Sequence, residues 1–147
     1  MISIIQDSKS KDLTTFLNPF SYMMLRRNNS YLDDFNIKID GSLLVFLLTL
    51  FGIRVKRESF DMTSLAPVLF NKAIQQNKSI YFIGTEPDII DYAIKNIQNT
   101  YPKLNICGFR HGYFSQDERD IVIKKIFQLA PDYVICGMGT PIQEEFL

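Results

Sequence analysis

Short apolar runs alternate along the chain with longer segments whose apolar residues recur every three or four positions. The short runs lie at Leu13–Leu17, Phe35–Ile39, Ser79–Ile83, Leu104–Phe109 and Tyr133–Cys136. Turn residues bound them, and several are rich in β-branched and aromatic residues, which favours β-strands. Because helical patterns separate these strands, the order predicts βαβ crossovers and a parallel sheet covered on both faces.

Helical spacing predicts the helices between those strands. They cover Phe20–Asn28, Asp61 or Thr63 to Gln76, Glu86–Asn99 with Thr85 as N-cap, Gln116–Leu129 with Ser115 as N-cap, and a first turn at Gln143–Leu147. Ser42–Phe51 is apolar almost throughout and is followed by Gly52. A membrane span needs about 20 residues, so this shorter segment is predicted to be a mostly buried helix.

Length and composition place the chain among ordinary globular proteins. It has 147 residues, 46% hydrophobic and 22% charged, which fits one domain. Sixteen Lys and Arg balance sixteen Asp and Glu, so the charge that a general nucleic-acid binder needs is missing. The N-terminus turns polar after five residues and does not resemble a signal peptide. We therefore expect a cytoplasmic protein.

The cysteines and the single histidine do not form a metal-binding pattern. Cys107 and Cys136 each lie in an apolar run and are predicted to be buried in strands. His111 is the only histidine, and no zinc-ligand spacing occurs. We interpret His111 as a solvated loop residue, with a catalytic role as the alternative.

Ligands of parallel sheets bind beyond the carboxyl ends of the strands. Asp40 follows one predicted strand directly, where partial desolvation would suit its carboxylate to take up a proton; a turn or cap residue is the alternative. Arg57 and Asp61 lie in a polar break between two helices, where a guanidinium can bind a phosphate. A surface ion pair is the alternative there.

Glycine loops follow two of the strands, at Gly84 and at Gly137-Met138-Gly139. The second begins like a dinucleotide-binding fingerprint, but Ile142 stands where the third glycine would be, which disfavours a nicotinamide oxidoreductase. Glycine still lets a ligand approach the backbone closely. Glu144 lies in the first turn after this loop, where a carboxylate suits the helix dipole or binds a ligand hydroxyl.

Four ordered segments together resemble the WecG/TagA/CpsF glycosyltransferase family. They are Ile39–Val45, Arg57–Pro67, Tyr81–Phe114 and Pro131–Phe146, and Asn18-Pro19 is similar to the family's N-terminal Asn motif. The resemblance implies a Rossmann-like α/β/α fold. It also implies inverting, metal-independent transfer of an N-acetylmannosamine-type or related sugar from a UDP donor, with no cofactor.

The implied acceptor is a sugar linked to undecaprenyl diphosphate at the inner face of the cell membrane. The implied products are teichoic acid linkers, enterobacterial common antigen or capsule-like polysaccharides. The resemblance assigns catalysis to Asp40, as the base, and to Arg57, which would stabilise the leaving diphosphate. It assigns substrate binding to Asn18, Asp61, Gly84, Tyr113, Gly137, Gly139, Gln143 and Glu144. No Asp-x-Asp motif occurs in the sequence, so a metal clamp is not indicated.

The chain differs from the family pattern at three points. Phe16 stands where the family tends to have Thr, and Phe60 where it commonly has Gly before the acidic position. The family also continues beyond the Gln-Glu pair, so we expect a single glycosyltransferase-like domain, 1–147, without the C-terminal segment. Such a chain should fold partially or associate, and an inactive nucleotide-sugar-binding remnant is the alternative function. Peripheral contact with the membrane and association into a homo-oligomer are further alternatives.

Overall fold

The computed structural model of the chain describes residues 3–6, 12–26 and 33–147. The strands within these residues are β1 (Ser3–Gln6), β2 (Asp12–Leu17), β3 (Phe35–Ile39), β4 (Ser79–Gly84), β5 (Asn105–Arg110) and β6 (Tyr133–Gly137). The helices are α1 (Pro19–Leu25), α2 (Ser42–Leu50), α3 (Leu65–Gln75), α4 (Pro87–Thr100), α5 (Gln116–Leu129) and α6 (Ile142–Phe146). Each predicted strand and helix is present, with small shifts of its ends; residues 27 and 28, the predicted end of the first helix, lie outside the described residues.

The strands form one sheet in the order β3-β2-β1-β6-β4-β5. Strand β1 runs antiparallel to both of its neighbours, β2 and β6, whereas β2 pairs with β3, and β4 with β5 and β6, in parallel. The predicted mostly parallel α/β sheet is therefore confirmed. The sequence did not predict β1, which completes the sheet between its two parallel parts.

Alternating residues of β4 place apolar side chains on both faces of the sheet. Ile80 and Phe82 join a core cluster with residues of α3 and α4, including Phe70 and Ile94. Tyr81 and Ile83 face the opposite cluster, which includes residues of α5, β6 and α6. Helices thus cover both faces, which confirms the Rossmann-like three-layer arrangement.

The starts of α5 and α4 test the N-cap residues predicted from the sequence. Ser115 caps α5 as predicted: its Oγ accepts from the Glu118 N–H at 3.3 Å, and a Glu118 carboxylate oxygen accepts from the Ser115 N–H at 2.9 Å. The predicted N-cap of α4 is wrong by one residue, because Glu86 occupies that position. Thr85 instead adopts a positive φ of 55°, and its N–H donates to the Gly137 carbonyl.

Helix α2 forms as predicted, but the prediction that it is buried is wrong. Of its nine residues, all of which the structure describes, none is buried. The chain leaves β3 at the edge of the sheet and re-enters it at β4, with three strands between the two. Helix α2 therefore does not join neighbouring parallel strands, and the connection does not force it onto the sheet.

Both cysteines lie in strands and are free. Cys136 is buried, and burial raises the pKa of its thiol to about 12. Cys107 is half-buried, and burial likewise raises its pKa. The prediction that they are buried strand residues is confirmed for Cys136 and holds in part for Cys107.

Candidate functional site

The five parallel strands end at one edge of the sheet, and the predicted site residues follow those ends. Asn18 comes after β2 and Asp40 after β3. The Asp40 N–H donates to the Leu17 carbonyl at 2.8 Å, which ties the two strand ends together. Gly84 and Gly137, the last residues of β4 and β6, are register partners. The topology thus places the candidates on one edge.

Asp40 and Arg57, which were predicted to share the chemistry, lie side by side. An isolated parallel bridge pairs Ile39 with Arg57, and the Glu58 N–H donates to the Ile39 carbonyl at 2.9 Å. The Arg57 Nη2 atom lies 3.6 Å from an Asp40 carboxylate oxygen, and the side chains are 56% and 30% exposed. A carboxylate and a guanidinium therefore face each other within reach of a ligand.

Asp61 organises the loop that precedes α3. Its carboxylate accepts hydrogen bonds from the Ser59 hydroxyl at 2.5 Å, the Thr63 N–H at 2.8 Å and the Ser64 hydroxyl at 2.8 Å. These donors, the Ser59 hydroxyl first, hold the pKa of Asp61 well below its usual range. Asp61 is thus a fixed anion at the site edge, with most of its acceptor capacity already used by the loop.

Asn18 caps α1. Its Oδ1 atom accepts from the Ser21 N–H at 2.9 Å, and the Ser21 hydroxyl accepts from the Asn18 N–H at 2.9 Å. Pro19 follows at the first helical position, where its fixed φ suits a helix start. The capping box fixes the position of Asn18 beside Asp40.

The strand-end glycines allow close packing of backbone on backbone. A Cβ atom at Gly84, whose φ is +142°, would lie 2.4 Å from the carbonyl carbon and oxygen of Gly137. A Cβ atom at Gly112 would lie 3.0 Å from the Gly84 Cα. Gly139 has open space around it but needs its φ of +85°. The geometry of the chain thus accounts for these glycines without a ligand.

Glu144 lies at the centre of a buried polar cluster behind this edge. Its Oε1 atom accepts from the Thr15 hydroxyl at 2.7 Å, the Gln143 amide at 2.9 Å and the Thr140 hydroxyl at 3.3 Å. Gln143 is 0% exposed and Glu144 3%, and the Gln143 side-chain oxygen accepts from the Gly139 N–H at 3.2 Å. The cluster connects β2 to the loop after β6.

The second carboxylate oxygen of Glu144 is buried and has no hydrogen-bond partner within the described part of the chain. An ionised carboxylate oxygen accepts hydrogen bonds and is costly to bury without one. The cluster therefore contains a buried acceptor that a donor group could satisfy. Both Gln143 and Glu144 remain predicted, rather than demonstrated, substrate-binding residues.

Sequence reasoning missed Thr15, which contributes a hydroxyl to the cluster. The family pattern directed attention to position 16, but the Phe16 side chain lies in the core and contacts the Phe60 ring, with centroids 6.1 Å apart. Phe16 and Phe60, the two aromatic residues at which the chain differs from the family pattern, thus pack against each other. The neighbouring position on β2 points to the other face, and only the alternation of the strand could have indicated Thr15.

A cavity of about 290 Å³ opens beside Gly84 and Gly137. Its walls are mostly apolar side chains of α3, α4 and the sheet, and Asp61 and Thr85 also line it. Tyr113, which follows β5, is 66% exposed. His111 is half-buried rather than solvated, and its Nδ1 atom is buried without a partner among the described residues.

The sequence profile of the WecG/TagA/CpsF family of glycosyl transferases matches residues 1–147. The chain belongs to this family. The family resemblance drawn from the motifs is therefore confirmed. The motifs that follow the parallel strands come together at one edge of the sheet, although the strand order places the last of them, after β6, between those of β2 and β4.

Curated relatives within this family act on lipid-linked sugars according to their names. A Shigella boydii protein named UDP-Gal:alpha-D-GlcNAc-diphosphoundecaprenol beta-1,4-galactosyltransferase is 38% identical over 144 residues, which are 97% of this chain and 60% of the relative. A Bacillus subtilis protein named N-acetylglucosaminyldiphosphoundecaprenol N-acetyl-beta-D-mannosaminyltransferase is 33% identical over 79 residues, 54% of this chain and 30% of the relative. A Staphylococcus aureus protein of the same name is 30% identical over 71 residues, 48% of this chain and 27% of the relative. The chain thus spans three-fifths or less of the length of these relatives.

Proposed function

We propose that this protein transfers a hexosyl group from a UDP-sugar to the sugar of N-acetylglucosaminyl-diphosphoundecaprenol, at the inner face of the cell membrane. The observation that carries the proposal is the accessible Asp40–Arg57 pair at the carboxyl edge of the sheet. It occurs in a chain that aligns over 97% of its length with a relative named as such a transferase. The sugar is galactose or N-acetylmannosamine, the two that the relatives' names contain.

The reaction is a single displacement that inverts the anomeric carbon. The acceptor hydroxyl oxygen forms a bond to that carbon while its proton passes to the Asp40 carboxylate. The bond from the anomeric carbon to the β-phosphate oxygen breaks, and its electron pair leaves with UDP. Arg57 stabilises the charge that develops on the diphosphate, since a guanidinium carries enough donors to contact both a carboxylate and a phosphate.

The donor is placed along the glycine-rich edge between β4 and β6. The backbone of the loop from Gly137 to Gly139 lies against the diphosphate, and Arg57 supplies the positive charge, so the proposed transfer needs no metal ion. The apolar cavity beside Gly84 suits an uncharged ring or acyl group better than a phosphate, because burying an unpaired charge there would be costly. Glu144 supports this edge from behind through its hydrogen bonds with Thr15, Thr140 and Gln143.

Exchange of Asp40 for Asn tests the proposal most directly. The amide keeps the shape of the side chain but cannot take a proton, so turnover should fall by about a hundredfold to ten-thousandfold. The measurement is transfer from UDP-galactose and from UDP-N-acetylmannosamine to a lipid-linked N-acetylglucosamine acceptor. Asp12→Asn, at the opposite end of β2, is the matched control and should leave turnover unchanged.

Calorimetry with UDP in the presence of EDTA separates binding from chemistry. Asp40→Asn should bind UDP as the unaltered protein does, whereas Arg57→Gln should bind it more weakly. Near-normal turnover by Asp40→Asn would show that Asp40 is a turn residue. UDP binding without any turnover by the unaltered protein would favour the nucleotide-sugar-binding remnant, and binding only with added magnesium would contradict the metal-free mechanism.

A further inference from the structure

Helix α2 has an unusual combination of apolar composition and exposure. Its outward stripe consists of Leu43, Phe46, Leu47 and Leu50, which follow the i, i+3, i+4, i+7 spacing of one helix face. All four are exposed, Leu50 to 71%, and Phe51 at the end of the helix is 79% exposed. The stripe that a surface helix normally fills with polar residues is therefore apolar here.

The inward side of α2 is apolar as well. Leu44, Val45 and Leu48 are half-buried, and the segment from Gly41 to Ile53 contains no charged residue. A helix that is apolar all round normally belongs in a protein core or in a membrane. None of the helices within the described residues is long and apolar enough to cross a bilayer.

Two basic residues follow the apolar segment. Arg54 and Lys56 are both exposed and lie four and six residues beyond Leu50, the last residue of the helix. An apolar helix of about 13 Å with cations at its end has the features of an interfacial helix, which inserts its apolar face among acyl chains while its cations contact anionic headgroups. These positive charges attract the anionic headgroups of a membrane, whereas they would not strengthen binding to a purely apolar protein surface.

The helix also begins at the candidate site. Gly41 separates Asp40 from α2, and a Cβ atom at Gly41 would lie 3.5 Å from Pro19 Cδ and 3.6 Å from Asn18 Cβ. Insertion of α2 would thus hold the proposed base next to the bilayer surface, where a diphosphate-linked lipid presents its sugar. This step rests on the proposed function, whereas the membrane contact itself does not.

We propose that α2 and the basic residues after it, Ser42–Lys56, form a docking surface for an anionic phospholipid bilayer. The occupant is the membrane interface, because the surface combines an exposed apolar stripe with adjoining cations. Other occupants, a second copy of the chain or another protein segment, predict different outcomes in the following test.

Co-sedimentation with vesicles tests this surface in the absence of donor and acceptor. The full chain should bind vesicles of phosphatidylcholine mixed with phosphatidylglycerol more tightly than vesicles of phosphatidylcholine alone. Phe51→Ser should weaken binding about tenfold, because burial of one large apolar side chain contributes that much. Phe127→Ser on α5 removes a ring that is equally exposed, 79%, and should leave binding unchanged.

Charge provides the second arm of the test. Lys56→Gln should weaken binding to the anionic vesicles about fivefold, whereas Lys124→Gln on α5 should have no effect. Equal binding by Phe51→Ser and Phe127→Ser would overturn the proposal. So would a self-associated chain that Phe51→Ser converts to a monomer without loss of vesicle binding, since the surface would then serve a second copy.

The two proposals fail separately. Asp40→Asn should bind vesicles normally, because the carboxylate does not belong to the docking surface. If vesicle binding weakens in Phe51→Ser as expected but the unaltered chain transfers no sugar, the proposed function is contradicted and the docking surface is supported. If the unaltered chain transfers sugar to a short, water-soluble acceptor but binds no vesicles, the docking surface is contradicted and the proposed function is supported.

Discussion

The two parallel parts of the sheet use their helices differently. Between β4 and β6, α4 and α5 join parallel strands of one continuous group, and they bury Ile90, Ile94 and Val122 against it. Beside β3, α2 buries no residue at all. A crossover helix must return to the sheet to begin the next strand, so packing is imposed on α4 and α5. Helix α2 has no such constraint and is available for an external contact.

The largest expected contrast between these regions is in core packing. Phe70→Ala removes a ring that is 1% exposed and contacts the rings of Phe60, Phe82 and Tyr101. The free energy of unfolding should fall by about 3–5 kcal/mol. Phe46→Ala on α2 should change it by less than about 0.5 kcal/mol, because that ring is 63% exposed. Urea denaturation of both variants gives the comparison, and a large loss for Phe46→Ala would show that α2 packs within the domain.

This contrast also explains how well the sequence predicted each region. Both ends of α5 were predicted to the residue from local signals: Ser115 and Glu118 form a capping box at its start, and Pro131 follows shortly after its end. The burial of α2 was predicted wrongly, because an apolar composition favours burial but does not show which elements lie beside the helix. Strand β1 was missed because its four residues, SIIQ, gain their pairing only from β2 and β6.

The candidate site shows the same division between local and distant signals. Asp40 and Arg57 were predicted from strand-end position and family motifs, and they lie together in the structure. Thr15 was not predicted, because its bond to Glu144 joins positions 129 residues apart. The capping role of Asn18 could have been inferred from Asn18-Pro19 and Ser21, whereas the unpartnered oxygen of Glu144 emerges only when the chain is folded.

A second prediction compares glycines that need a positive φ in the two regions. Gly84→Ala places a Cβ 2.4 Å from the backbone of Gly137, so the ends of β4 and β6 would have to separate. The free energy of unfolding should fall by at least about 2 kcal/mol. Gly52→Ala, after α2, meets no atom within 4 Å at a φ of +78°. This substitution should lower the free energy of unfolding by about 1 kcal/mol, because only the left-handed backbone conformation is unfavourable for alanine. Thermal melting of the two variants measures the difference, and equal costs would mean that the β4 and β6 ends can move apart freely.

The smallest expected effect concerns ion pairs and pH. Asp132, before β6, accepts from Lys78 Nζ at 2.6 Å and from the Ser79 N–H at 2.8 Å, and these donors, Lys78 first, lower its pKa below the ordinary 3.8. A lowered folded-state pKa means that the stabilisation is complete above the unfolded pKa and is lost as pH falls through the folded one. Asp132→Asn should therefore reduce the free energy of unfolding at neutral pH and flatten its decline in acid.

The matched control lies in the other region. Lys38 and Glu58 pair at 3.2 Å, a longer distance than the 2.6 Å between Lys78 and Asp132, and a surface ion pair by itself contributes little. Glu58→Gln should change the free energy of unfolding by less than about 0.5 kcal/mol and leave its pH dependence unaltered. Urea titrations from neutral to acidic pH distinguish the variants. If Asp132→Asn followed the unaltered protein at every pH, the Asp132 contacts would add nothing to the β4–β6 region, and the contrast between the regions would rest on apolar packing alone.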